Sequence, residues 1–166
     1  MGRRSIKADK SAYQQKREEL GLTRETAAER LVTISPERLV RLENEPGRMQ
    51  PEDVLELSAG YQAPELMNWY CRHDCAIGRE TGRDIELKPL AQIAVETLSA
   101  MNRMEEIRSA LPQIALDGKI TPDEYETFSR IEGTLEQLAV SVDSLKLWVR
   151  NAMAGGDMAG YSEGES

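Results

Sequence analysis

The chain has 166 residues and carries 21 Lys and Arg against 29 Asp and Glu, which gives a formal net charge of −8 at pH 7. With 40% hydrophobic and 30% charged residues, its composition is typical of a water-soluble chain with one or two small domains. Its apolar stretches are far shorter than the ~20 residues that span a bilayer, and the opening MGRRSIKADK lacks the apolar core of a secretory signal. We therefore expect no membrane anchor and a cytoplasmic location.

The charge is unevenly distributed along the chain. Residues 1–50 carry 11 basic and 8 acidic residues, a net charge of +3, whereas residues 51–166 carry 10 basic and 21 acidic residues, a net charge of −11. The first part can approach a polyanion, while the acidic remainder would be repelled by one. Residues 1–10 are polar and basic, and we interpret them as a flexible arm.

The first predicted elements are three short helices. A helix is expected over residues 11–20, and Thr23 and Ser35 stand where a side-chain oxygen caps the first turn of a helix. Pro36 is favourable at a first helical position because its missing N–H has no partner there. Leu39 and Leu42 then face inward, which leaves an outward face formed by Pro36, Glu37, Val40 and Arg41.

Three short motifs carry a family resemblance: Leu20-Gly21-Leu22-Thr23, Ala27-Ala28 and Leu42-Glu43-Asn44. Through them, roughly residues 11–70 resemble the lambda-repressor-like helix-turn-helix family, also called the Cro or xenobiotic-response-element class. The resemblance implies a five-helix DNA-binding domain, which we place at residues 11–78. It also implies a structural ion pair between Arg17 and Glu43.

The same resemblance implies which residues contact double-stranded DNA. Positions that contact phosphates in the family are matched by Thr23, Arg24 and Ser35, and positions that face base edges are matched by Pro36, Glu37 and Arg41. Arg38, on the same helix, is grouped with them as a candidate DNA contact. Of the base-facing residues, Arg41 alone suits a guanine. The turn of residues 31–34 lacks the family's usual glycine and is one residue longer, so the register of the reading helix stays open.

Two further helices are expected at the proline-led segments that begin at Pro51 and Pro64. They are followed by Cys71, His73 and Cys75, the only Cys and His residues of the chain. A structural zinc needs four ligands, so a metal would have to be shared between two copies. We interpret the cysteines as reduced thiols and predict no metal and no cofactor.

Beyond a polar linker at residues 79–86, the pattern changes to long helices over residues 87–152. Heptad-like stripes of alternating three- and four-residue steps run through Leu90, Ile93, Thr97, Ala100, Met104, Ile107, Leu111 and Ile114, and through Phe128, Ile131, Leu135, Leu138, Val142, Leu145, Val149 and Ala152. Ala94, Leu98 and Met101 widen the first stripe, which predicts more than one neighbour for that helix. Pro112 is expected to kink or end the first helix.

The predicted fold is therefore all-α: a five-helix helix-turn-helix domain followed by a long antiparallel two-helix hairpin. The hairpin is expected to form a homodimer or to bind another protein, and residues 153–166 are expected to be a disordered acidic tail.

The sequence contains no phosphate-binding glycine loop and no nucleophile next to a base, which argues against an enzyme. We expect a sequence-specific transcriptional regulator of prokaryotic or phage type that reads the major groove with residues 35–44. The alternative is a helical adaptor or antitoxin whose hairpin binds a protein partner.

Overall fold

The computed structural model describes residues 10–114 and 118–156. These residues form α-helices joined by turns, with no strand among them, which confirms the all-α class for this part of the chain. None of the described helices is long and apolar enough to cross a membrane. Of the arm predicted at residues 1–10 and the tail predicted at residues 153–166, residues 1–9 and 157–166 lie outside the described residues. Lys10 is described, and its Nζ lies 2.6 Å from the Glu18 carboxylate.

The chain divides into two compact units. One contains the residues up to Asp84 together with those from Val149 onward, and the other is Ile85–Trp148. The first boundary falls inside the linker predicted at residues 79–86. The second differs from the predicted end of the hairpin at residue 152, because the last residues of that helix cluster with the first unit.

The first unit begins with three short helices: α1 (Ala12–Glu19), α2 (Arg24–Ala28) and α3 (Pro36–Asn44). The Thr23 side chain accepts a hydrogen bond from the Thr26 amide at 3.2 Å, and the Ser35 side chain accepts one from the Arg38 amide at 3.3 Å. Both helix starts predicted from capping are confirmed, because these oxygens satisfy amides that have no partner within the helix.

The first unit continues with a 3-10 turn (Pro46–Arg48), α4 (Pro51–Tyr61), α5 (Glu65–Trp69), a π-helical turn (Tyr70–Asp74) and α6 (Ala76–Thr81). The predicted helix starts near Pro51 and Pro64 are confirmed. The hydroxyl of Tyr13 in α1 donates to the Asp74 carboxylate at 2.7 Å and thereby ties the π-helical turn to the first helix. Burial, this hydrogen bond and the charge of Asp74 raise the pKa of Tyr13.

The start of the predicted linker is helical. Helix α6 extends to Thr81, and the Cys75 sulfur caps it by accepting a hydrogen bond from the Gly78 amide at 3.4 Å. Gly78 is buried, and a Cβ atom there would lie 1.9 Å from the Cys71 carbonyl oxygen. Glycine at position 78 is therefore needed for a close backbone contact between α6 and the π-helical turn.

The core of the first unit is aliphatic, with two tyrosines. Helix α2 packs against α3, α4 packs against α5, and α1 contacts both α4 and α5. Their shared core consists of Tyr13, Ala27, Leu31, Ile34, Leu39, Leu42, Met49, Val54, Leu57, Tyr61, Ala63 and Leu66. Leu39 and Leu42 point inward as predicted, which leaves the other side of α3 exposed.

The second unit contains α7 (Leu90–Asn102), α8 (Met104–Ile114) and most of α9 (Tyr125–Ala154). The first long helix was predicted to be interrupted at Pro112, but it breaks at Arg103, whose amide donates to the Ala100 carbonyl at 3.1 Å. Pro112 lies inside α8, whose last described residue is Ile114. Helix α9 extends to Ala154, so Met153 and Ala154 are helical rather than part of the predicted tail.

The two predicted stripes of the second unit are covered only in part. Ile107 and Ile114 of α8 form a buried cluster with Ile131 of α9. Farther along α9, the predicted stripe residues Leu135, Val142 and Leu145 are 41%, 41% and 40% exposed, whereas Ser141, Ser144 and Leu147 are buried. The heptad pattern did not predict which face of α9 is covered. This helix carries apolar or small residues on more than one face, so the pattern alone does not distinguish them.

We predict that Gly78→Ala destabilises the first unit by about 1–3 kcal/mol, because the added methyl group collides with the Cys71 carbonyl oxygen. Gly133→Ala in α9 is the matched control, since a Cβ atom there meets no atom within 4 Å. The control should stabilise its helix by up to about 1 kcal/mol. Urea unfolding of both variants measures the difference, and an equal effect of the two substitutions would refute the packing role of Gly78.

Candidate nucleic-acid interface

A buried carboxylate joins the first three helices. The Glu43 side chain of α3 is 0% exposed, and Arg17 of α1 contacts it through Nε–Oε1 at 2.5 Å and Nη2–Oε2 at 3.1 Å. Arg24 of α2 adds an Nε–Oε2 bond of 2.9 Å, and Arg17 also donates to the Leu22 carbonyl at 2.7 Å. The Arg17–Glu43 ion pair implied by the family resemblance is present, and it belongs to a three-residue cluster.

Arg24 has a different principal contact from the one expected. The resemblance matched it to a phosphate-contacting position, but its Nε is bound to Glu43 and its side chain is only 32% exposed. Two arginines on one carboxylate leave the cluster with one net positive charge. Sequence reasoning missed this contact because the family pattern assigned Glu43 a single partner.

The cluster is accompanied by raised pKa values of Arg17, one of its members, and of the neighbouring Tyr61. Burial opposes the charged form of Arg17, but the hydrogen bonds and negative charge of Glu43 raise the pKa of Arg17 above its ordinary value. The pKa of the nearby Tyr61 hydroxyl is also raised, first by burial and then by the charge of Glu43. The result is a guanidinium that stays charged beside a phenol that stays neutral.

The turn between α2 and α3 is held by a carboxylate from α4. Glu56 Oε1 accepts hydrogen bonds from the Val32, Thr33 and Ile34 amides at 2.5, 2.6 and 3.2 Å, and Oε2 accepts from the Thr33 hydroxyl at 2.5 Å. Across residues 29–35 no backbone φ is positive. Because no φ is positive there, the turn does not need the glycine expected from the resemblance, and Glu56 satisfies its amides.

These hydrogen bonds stabilise the ionised form of Glu56. Partial burial opposes ionisation, but the bonds from the Thr33 hydroxyl and from the three amides hold the pKa of Glu56 below its ordinary value. The position at which α3 begins thus depends on a charged residue of α4. Neither the capping pattern nor the resemblance pointed to this residue.

The N-terminus of α3 brings together three of the predicted contacts. The Ser35 hydroxyl accepts from the Arg38 amide and donates to the Glu37 carboxylate, with an Oγ–Oε2 distance of 2.8 Å. Hydrogen bonds from the Glu37 amide and from Ser35 lower the pKa of Glu37. Glu37 is exposed and Pro36 is half-buried. In the free protein, Glu37 is therefore bonded to the start of its own helix.

The outer face of α3 carries two arginines, Arg38 and Arg41, that differ in their contacts. Arg38 Nη2 contacts the Asp53 carboxylate of α4 at 2.7 Å, although its side chain is 49% exposed. Arg41 is exposed, and its guanidinium makes no ion pair or hydrogen bond with any other described residue. Val40, 37% exposed, lies beside it. Arg41 is thus the predicted base contact that is available without breaking an existing bond.

An open groove runs between α3 and the start of α4. It is lined by Ser35, Glu37, Arg38, Arg41, Leu42, Arg48, Gln50 and Asp53. Arg48 was not among the predicted contacts, and its Nε lies 2.5 Å from the Glu45 carboxylate in an exposed pair. Arg48 lies in the 3-10 turn that follows α3, and the fold brings it to the same groove as Arg41.

The remaining predicted phosphate contact is Thr23. Its hydroxyl oxygen caps α2 and also lies 3.2 Å from the Thr26 hydroxyl oxygen. Thr23 is half-buried and Thr26 is exposed. The fold therefore places the two hydroxyls together at the start of α2.

Cys71, His73 and Cys75 are not arranged as a set of metal ligands. Cys71 is exposed, Cys75 caps α6, and the His73 ring stacks on Trp69 with a centroid distance of 3.7 Å. Residues 10–114 and 118–156 contain no group of three or more Cys, His, Asp or Glu residues arranged to hold a metal ion.

Comparison with family models, with curated proteins and with solved structures finds no match for this chain.

We predict that Arg17→Met lowers the free energy of unfolding by about 3 kcal/mol, because it removes two of the three bonds from arginine to the buried Glu43 carboxylate. Arg24→Met is the matched control, and its loss should be about 1 kcal/mol because Arg24 is more exposed and contributes one bond. Urea denaturation provides the comparison. Equal losses would show that Glu43 does not depend chiefly on Arg17.

Glu56 predicts a pH dependence of stability. Its folded-state pKa is lowered, so its stabilising contribution is complete above the ordinary value of 4.5 and is lost as the pH falls through the folded-state pKa. The difference in unfolding free energy between the wild type and Glu56→Gln should be constant at neutral pH and shrink on acidification below 4.5. Urea unfolding across this range measures it, and a pH-independent difference would contradict the assignment.

Proposed function

We propose that this chain is a sequence-specific DNA-binding protein, a transcriptional regulator of prokaryotic or phage type, in which α3 reads the major groove. The observation that carries the proposal is the contrast between the two sides of α3. Its inner side is fixed by the buried Glu43 cluster, and its outer side presents Arg41 without an ion-pair partner among the described residues. A helix attached through its inner side, with an exposed guanidinium that makes no hydrogen bond to another described residue, suits bidentate recognition of guanine.

The proposal includes the finer architecture expected from the sequence. We assign α1 to α5 to a helix-turn-helix domain with α3 as the reading helix, and α7 to α9 to an antiparallel hairpin in which α7 and α8 together form one arm. Contacts that support the hairpin are the Ile107–Ile114–Ile131 cluster and the hydrogen bond from Arg103 to Gln137. The break at Arg103 makes the first arm two helices instead of one.

The proposed DNA contacts fall into two groups, contacts to base edges and contacts to phosphates. Arg41 is assigned to a guanine edge, and Val40 offers methyl groups to a neighbouring thymine. Thr23, Ser35 and Arg48 are assigned to phosphates, since hydroxyls and exposed guanidinium groups position a protein on the backbone. Release of Ser35 from Glu37 would free its hydroxyl proton for a phosphate oxygen.

The charge balance around the groove favours binding by two copies. Arg38 is paired with Asp53, and Arg48 would have to exchange Glu45 for a phosphate, which leaves few free cations for phosphates in one copy. Two copies double the contacts and read half-sites about one helical turn apart. Binding should therefore weaken steeply as salt increases.

A second candidate is a helical interaction protein, either an adaptor or an antitoxin, in which the second unit binds another protein. The observation that favours it is the set of exposed apolar side chains in that unit, which includes Val95, Leu98 and Met101 at 67%, 60% and 54% exposure. In that case the outer face of α3 would have no function in DNA binding, and substitution of Arg41 would change nothing.

Binding-site selection from random duplexes, followed by substitution of Arg41, tests the proposal. Arg41→Ala should weaken binding to the selected site by about 1–3 kcal/mol and relax the preference at one base pair. The control is Arg108→Ala in α8, which makes the same change in net charge at a side chain that is 82% exposed. It should leave the preference intact.

Arg48→Ala separates backbone contacts from base contacts. A phosphate contact should weaken binding to all sequences by a similar factor, whereas loss of Arg41 should affect the selected site most. Failure to enrich any sequence at low ionic strength, or equal effects of Arg41→Ala and Arg108→Ala, would contradict the proposal.

A further inference from the structure

The groove beside α3 is lined by two carboxylates, Asp53 and Glu37, and only one of them has a cationic partner. Asp53 is bound by Arg38 at 2.7 Å, and its side chain is 4% exposed. Glu37 is exposed and lines the same groove. Over residues 10–114 and 118–156, Glu37 forms no ion pair, and its side chain bonds to the Ser35 hydroxyl and to its own amide. This carboxylate is open to a partner from outside the chain.

Glu37 and Arg41 lie one helical turn apart on the same exposed face of α3. The Glu37 amide and the Ser35 hydroxyl lower the pKa of Glu37, and the charge of Arg41 acts in the same direction. Four residues of helix rise by about 6 Å, which is less than two base-pair steps of about 3.4 Å each. A duplex that reaches Arg41 therefore meets an ionised Glu37 within about two base pairs.

A carboxylate has few partners in the major groove. It only accepts hydrogen bonds, so phosphates and the acceptor atoms of guanine and thymine repel it. The groove offers two base donors, N4 of cytosine and N6 of adenine. Adenine N6 lies beside the acceptor N7, which faces a carboxylate unfavourably, whereas cytosine N4 has no neighbouring acceptor on its own base. Of the four bases, cytosine is therefore the partner that suits Glu37.

The bond between Ser35 and Glu37 links this base contact to a phosphate contact. The Ser35 hydroxyl can donate one hydrogen bond, and in the free protein it donates to Glu37 Oε2 at 2.8 Å. When Ser35 donates to a phosphate instead, Glu37 loses a donor while negative charge approaches it. Cytosine N4 can replace the lost donor. A site without the cytosine therefore loses the base contact and weakens the phosphate contact together.

We propose that Glu37 is a specificity-determining residue, which accepts from a cytosine within about two base pairs of the guanine bound by Arg41 and opposes binding to sequences without it. The Ser35 hydroxyl changes its acceptor from Glu37 to a phosphate as the complex forms. This inference rests on the proposed DNA-binding function of α3. It adds to that function a second base and a reason for weak binding to other sequences.

Binding-site selection from random duplexes, carried out with the wild type and with Glu37→Gln, tests the proposal. The wild-type motif should contain the guanine and a nearby cytosine, and replacement of that C·G pair by T·A should weaken binding about tenfold. Glu37→Gln should select adenine in place of the cytosine, because an amide both accepts from N6 and donates to N7. It should also bind a scrambled duplex more tightly than the wild type, since one negative charge has left the groove.

The control is Glu105→Gln in α8, which makes the same change in net charge at a side chain that is 77% exposed. This variant should keep the wild-type preference for cytosine.

A double-mutant cycle tests the change of acceptor by Ser35. Ser35→Ala should weaken binding to the scrambled duplex more in the Glu37→Gln background than in the wild type, because the wild-type hydroxyl must first give up a bond to a charged acceptor. Circular dichroism should show that both backgrounds keep their helix content, since Ser35 also caps α3. Equal effects in the two backgrounds would contradict the exchange.

The possible failures are distinguishable. A wild type that enriches no duplex would overturn both this inference and the proposed function. A selected motif that contains the guanine but no fixed cytosine near it would overturn the role of Glu37 alone. Retention of the cytosine by Glu37→Gln would do the same, because the base would then be recognised by another residue.

Discussion

The buried carboxylate of Glu43 sets the position of α3. A lone charge with 0% side-chain exposure would be strongly destabilising, so the helix must keep its guanidinium partners. Those partners come from α1 and α2, and the cluster therefore specifies how three short helices meet. Since α3 is only nine residues long, this fixed attachment gives it more definition than its own helical propensity would.

A second carboxylate, that of Glu56, acts at the N-terminal end of α3. Glu56 holds the turn that leads into α3 through four hydrogen bonds, and Ser35 caps the helix directly after it. The outward residues of α3 are thus presented from a segment constrained at its start by Glu56 and at its end by Glu43. Of the arginines near this face, Arg24 and Arg38 are paired with carboxylates of the fold, whereas the Arg41 guanidinium makes no ion pair or hydrogen bond with another described residue.

Local chemistry in the sequence was sufficient to predict the helix starts, whereas the ion pair between Arg17 and Glu43 was expected only from the family resemblance. Thr23, Ser35 and Pro36 act within one turn of their own positions, so their effect can be read without knowing the fold. The contacts of Arg24 with Glu43 and of Glu56 with residues 32–34 join segments about 20 residues apart, and no spacing rule marks them. The need for glycine at position 78 could not be predicted, because the sequence does not show that a carbonyl oxygen approaches it. The break at Arg103 occurs without a glycine or proline at that position, and the covered face of α9 depends on which neighbour packs against it.

The most direct test of this account is an NMR titration of labelled protein with the duplex obtained by site selection. The account predicts that the largest changes in chemical shift occur at the amides of residues 35–44 and at the Arg41 Nε–H, while the Arg17 Nε–H, bound to buried Glu43, keeps its position. Shift changes confined to Ile85–Trp148, or no change with any duplex at low ionic strength, would contradict it.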